Sequence, residues 1–63
     1  MKILSGKQHG SESTLVVLSS CKVYTNNAEA IVRAEAEQML KGTGRVASIR
    51  PLHHREWEVT VQR

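Results

Sequence analysis

The chain has no phenylalanine and no aspartate, and only one tryptophan, one tyrosine, one proline and one cysteine among 63 residues. A lone cysteine, Cys21, cannot close an internal disulfide, so a disulfide-stapled mini-protein is excluded and a reducing compartment is expected. No apolar run approaches the ~20 residues that a membrane-spanning helix needs. The opening Met1-Lys2-Ile3-Leu4 gives way to Ser5-Gly6-Lys7 before any signal-peptide core can form, which sets the expectation of a soluble, cytoplasmic protein. The length suits one small domain near the lower limit of a self-sufficient core. It leaves no room for a dinucleotide-binding domain, a barrel or an enclosed substrate pocket.

Charge is present in both signs, with nine basic and six acidic side chains and a formal net charge of +3. In residues 1–40 the two signs cancel. The whole excess lies in residues 41–63, where Lys41, Arg45, Arg50, Arg55 and Arg63 face only Glu56 and Glu58. A positive region of this size attracts anionic partners but falls short of the dense basic fields of dedicated DNA binders.

Residues 1–13, rich in glycine, serine and single polar residues, read as a flexible arm or an edge strand, with Lys2-Ile3-Leu4 as its most strand-like part. Residues 14–63 form a single α+β domain. Leu15-Val16-Val17-Leu18 and, beyond the paired serines, Val23-Tyr24-Thr25 read as one long strand. Asn26 is placed to cap a helix from Asn27 to Lys41, with Glu29 completing a capping-box arrangement. Ala28, Ile31, Val32, Ala36, Met39 and Leu40 share one face at helical spacing. Glu29, Arg33, Glu37 and Lys41 line a polar face as i,i+4 pairs, and Gly42 suits the left-handed position after the helix. Arg45–Arg50 reads as a second strand, with Pro51 at its end or on a sheet edge. In Glu56–Gln62, Trp57, Val59 and Val61 alternate with polar residues, as in a half-buried strand.

The expected architecture is therefore two-layered, with one amphipathic helix on a three- or four-stranded sheet in the order strand-helix-strand-strand. The last two strands form a hairpin joined by Leu52-His53-His54-Arg55, and the first strand lies parallel to one of them. One helix covers one face. The other face, carrying Val16, Leu18 and Tyr24, is left as an apolar contact surface for a second copy or another protein.

Candidate chemistry is sparse. Cys21 lies mid-strand and reads as structural. His53 and His54 are adjacent and point apart in extended chain, so they make a poor metal pair even with His9 as a third ligand. No metal, no cofactor and no catalytic constellation is expected, because His9-Gly10-Ser11-Glu12-Ser13 lacks the scaffold of a triad. The sequence thus reads as non-enzymatic. Arg45, Arg50, His53, His54 and Arg55 form the basic end that best suits partner contact, since arginine is enriched at interface hot spots.

The run from Val23-Tyr24-Thr25 through Asn27-Ala28-Glu29-Ala30 to Gly44-Arg45-Val46-Ala47-Ser48-Ile49-Arg50-Pro51 resembles small bacteriophage proteins that inhibit host bacterial RNA polymerase. The likeness covers roughly residues 23–51 and rests on a generic strand-helix-turn-strand pattern ending in aliphatic-Arg-Pro. It implies a protein that works by binding a bacterial host enzyme. Arg50 matches the second of that family's two contact arginines, and Ser48 stands where the first would be. Flavin-storing oligomers are similar in outline, but their stacking tryptophan directly follows the helix, whereas Trp57 lies in the last strand. The sequence thus points to a small protein-binding module, with a basic nucleic-acid-binding module as the alternative.

Overall fold

The computed structural model describes residues 1–62; Arg63, counted above among the basic residues, lies outside them. Strands β1 (Lys2–His9) and β2 (Glu12–Leu18) precede helix α1 (Ala28–Leu40), and β3 (Arg45–His53) and β4 (Glu56–Gln62) follow it. The four strands form one sheet in the order β1-β2-β4-β3, and every neighbouring pair is antiparallel. The α+β class, with one helix and an open four-stranded sheet, stands as expected. The order of elements does not: two strands precede the helix, and no pair is parallel.

The difference arises at both ends of the expected first strand. Residues Lys2–His9 pair along their length with β2, so the segment read as an arm or short edge is a full edge strand. All its residues are exposed, which is why it shows no apolar alternation. At the other end β2 stops at Leu18, opposite Glu56, where β4 begins and the pairing partner runs out. Val23-Tyr24-Thr25 lie in the turns that lead to the helix. There Val23 N–H donates to the His54 carbonyl at 2.7 Å.

Alternation in the two central strands builds the core. Val17 on β2 and Trp57, Val59 and Val61 on β4 point to one side, where Ala28, Val32 and Ala36 of the helix meet them. Val46 from β3 and Cys21 complete the buried set, with Leu15, Val23, Leu40 and Ile49 packed at its margin. Ile31, expected on the buried stripe, is 42% exposed. Alanines at 28 and 36 let the backbone approach the sheet closely along the Val32 line, and Ile31 falls outside that narrow seam.

The helix ends also differ from expectation. Asn27, not Asn26, is the N-cap; it sits at φ 59° and makes no side-chain capping bond. The left-handed turn at the other end is shared by Lys41 at φ 52° and Gly42 at φ 82°. The i,i+4 charges along the polar face form no ion pair among the described residues. Arg33 instead donates to the Val46 carbonyl at 3.4 Å, tying the helix to β3.

Pro51 sits on the edge strand β3, where a missing N–H costs no central ladder bond. Strand β3 continues past it to His53, so the hairpin turn is His54-Arg55 alone. Irregularities at Ala47 and Leu52 each insert one extra residue into β3, and one at Leu4 does so in β1.

Val59 is 0% exposed, so Val59→Ala should cost about 2–3 kcal/mol through lost burial and an unfilled cavity. Ile31→Ala should cost under about 0.5 kcal/mol, as exposed positions do. Urea denaturation of both variants measures the contrast, and equal losses would place the helix seam elsewhere.

Candidate partner-binding face

Among the described residues no element covers the side of the sheet opposite the helix. Pairing registers give its side chains row by row from β1 through β2 and β4 to β3. The first row holds Lys2, Leu18, Glu56 and His53, and the second Ser5, Val16, Glu58 and Arg50. The third holds Lys7, Thr14, Thr60 and Ser48, and the last His9, Glu12, Gln62 and Arg45. Read along the strands, the same face shows a basic column on each outer edge. Between them lie a half-buried apolar pair, Val16 and Leu18, and an acidic pair, Glu56 and Glu58.

Arg45, Arg50 and His53 share this face as members of the β3 column. Arg50 lies across from Glu58, with Nη2 at 3.4 Å from Oε1 and 3.5 Å from Oε2. The pair is on the surface, and such pairs contribute about 0–1 kcal/mol, so the guanidinium stays available to a competing carboxylate. His54 and Arg55 stand beside the face, at the hairpin tip; His54 takes φ 55° there. The rings of His53 and His54 are tilted at 57° with centroids 4.0 Å apart. Among the described residues no group of three or more histidine, cysteine, aspartate or glutamate side chains could hold a metal ion.

Val16 and Leu18 lie together on the open face, as expected. Tyr24 does not join them, because the chain leaves the sheet after Leu18. It is 72% exposed in the turn before the helix, with Lys22 Nζ 5.8 Å from its ring centroid. Trp57 belongs to the core, and its indole N–H donates to the Cys21 carbonyl at 3.2 Å. Among the described residues the open face therefore has no tryptophan or tyrosine, and its only rings are the imidazoles of His9 and His53.

Lys2 and Lys7 are the members of the face that sequence reasoning missed. They sit in the segment read as a flexible arm or an edge strand, and only the β1–β2 register places them on the side of Arg50. The positive charge is thus split between two sheet edges, although in sequence the excess lies in the C-terminal third.

The hairpin tip is held by the loop that follows β2. Ser19 N–H donates to the Arg55 carbonyl at 2.9 Å, and Val23 N–H donates to that of His54. The buried Ser19 hydroxyl donates to Glu35 Oε1 at 2.7 Å and accepts from Cys21 N–H at 3.1 Å. One residue thereby links all three: its backbone N–H holds the tip, and its hydroxyl joins the loop to the helix.

No helix among the described residues is long and apolar enough to cross a membrane. Comparison with family models, with curated proteins and with solved structures finds no match.

Ser19→Ala should destabilise the fold by about 1–2 kcal/mol, because Glu35 and the Cys21 amide each lose a hydrogen-bond partner. Amide exchange at Cys21 and Val23 should quicken more than exchange in the β2–β4 ladder. Uniform quickening would show that the clamp is not a local one.

Proposed function

We propose that this chain is a small non-enzymatic protein-binding module that meets its partner with the bare side of its sheet and the basic hairpin end. The observation that carries the reading is the uncovered apolar pair Val16 and Leu18, set between columns of opposite charge. Half-buried aliphatic side chains with Lys2 and Ser5 on one side, Glu56 and Glu58 on the other and Arg50 and His53 one strand beyond suit a protein contact, where a small desolvated centre is surrounded by a polar rim. Arg45, Arg50 and His53 supply the charged contact on the face, and His54 and Arg55 extend it at the tip. A bacterial host protein is the proposed target, as the resemblance to phage inhibitors implies, with the cytoplasm as the place of action.

A second copy fits this face less well than a different protein does. Aligned stacking of two such sheets about a two-fold along the strands sets the β1 lysines over the β3 arginines. A two-fold across the strands sets each charged column over itself. Either arrangement brings like charges together, which favours a partner with acidic columns flanking a basic one. Nucleic acid, the second reading, finds cations here but, among the described residues, no tryptophan or tyrosine to stack on, and Glu12, Glu56 and Glu58 lie in its path.

Immobilised wild-type chain and Arg50→Glu, each checked for fold by circular dichroism, test the reading against a bacterial lysate. Wild type should retain one defined protein through a rise to high salt, and Arg50→Glu should lose it. Binding that instead falls with a salt slope near −0.9 per neutralised phosphate would assign the face to nucleic acid. Equal capture by both forms would remove Arg50 from the site.

A further inference from the structure

The two outer strands are unequal as edges. Strand β3 is blunted by Pro51 and by two extra residues, at Ala47 and Leu52. Strand β1 has no proline and one irregularity, at Leu4. All eight of its residues are exposed, and the helix packs against β3 at the far side of the sheet. An uncovered edge of this kind offers unpaired backbone N–H and C=O groups to an incoming strand.

The charge on β1 decides what that strand can be. The segment carries Lys2, Lys7 and His9 and no acidic side chain. Antiparallel self-pairing about Ser5 and Gly6 would set Lys2 across from His9, and a shift of register would set Lys2 across from Lys7. Both add positive charge to a positive edge, so the lysines repel a second copy while attracting an acidic segment.

We infer that the free edge of β1 accepts an extended acidic segment of a partner protein as a fifth strand. The β2 register shows the spacing such a segment needs. Lys2, Ile3, Ser5, Gly6 and Lys7 stand opposite Leu18, Val17, Val16, Leu15 and Thr14, so the extra residue at Leu4 is absorbed on β1. A regular strand on the other side of β1 would therefore place carboxylates at positions i and i+4 beside Lys2 and Lys7. An aliphatic residue at i+1 would then lie over Ile3, which is 48% exposed. This goes beyond the reading of the open face: Lys2 and Lys7 stand on that face, but the ladder forms on the free backbone edge of β1, with two strands between it and the strand that carries Arg50, so the two can fail separately.

The probe is a blocked heptapeptide, Thr-Glu-Val-Thr-Val-Glu-Thr, titrated into the ¹⁵N-labelled full chain. Saturable amide shifts confined to Lys2–His9 and their β2 neighbours are expected. Lys2→Glu with Lys7→Glu should weaken binding about tenfold or more, as should a peptide with lysine in place of both glutamates. A peptide N-methylated at every residue should not bind, because it has no N–H left to donate to the ladder. Arg50→Glu should leave the titration unchanged. No binding of the acidic peptide, equal binding of the N-methylated one, shifts centred on β3, loss with Arg50→Glu, or self-association through β1 would each overturn the inference. Because the β1 side chains lie outside the core, both lysine replacements should retain the wild-type circular dichroism spectrum. If they unfold the chain, the N-methylated peptide decides the outcome on the wild type.

Discussion

A single helix has one apolar stripe, and a sheet has two faces. That inequality governs the molecule. With Ala28, Val32 and Ala36 facing Val17, Trp57, Val59 and Val61, the burial that a domain of this size can arrange is concentrated on one side. The reverse of the sheet has to be compatible with water, which the alternation in β4 achieves by turning Glu56, Glu58 and Thr60 outward. Strand β2 makes that concession only at Glu12 and Thr14. Val16 and Leu18 remain apolar on the wet side, and their neighbours on β4 are carboxylates.

Strand order then turns a charge imbalance into a pattern. In sequence, the positive excess is terminal. In the sheet, β1 and β3 are the outermost strands, so cations from the two ends of the chain flank a centre that is greasy on β2 and acidic on β4. A surface built in this way discriminates by register as well as by sign. A uniformly acidic ligand would meet Glu56 and Glu58 as well as Arg50, and a uniformly basic one would meet both lysines. Only a partner with its own alternation answers every column.

Much of this fold was legible in the residues, because period and burial coincide in α1 and β4. Val59 and Val61 announce a half-buried strand, and Val32 and Ala36 announce a helix seam. Strand β1 was not legible in the same way: both of its faces are wet, so neither carries an apolar code. Val23-Tyr24-Thr25 has strand-like composition, but strand formation needs a partner, and β4 is only long enough to pair with β2 as far as Leu18. Of the candidate site, Arg45, Arg50 and His53 could be named from their place near the hairpin. Their shared face, the Glu58 contact and the participation of Lys2 and Lys7 depend on register across three strand pairs, which local sequence does not encode. Tyr24 falls outside the sheet for the same reason that β2 ends at Leu18.

The tip of the β3–β4 hairpin is anchored by its main chain: the carbonyls of His54 and Arg55 receive the amides of Val23 and Ser19. Carbonyl oxygens are common to every residue type, so the anchorage is indifferent to which side chains stand above it. Provided position 54 tolerates a left-handed backbone, as asparagine and glycine do, the tip can exchange its side chains while its position in space stays constant. It is a fixed mount with interchangeable fittings, and recognition there could drift toward new targets without any cost to the core beneath.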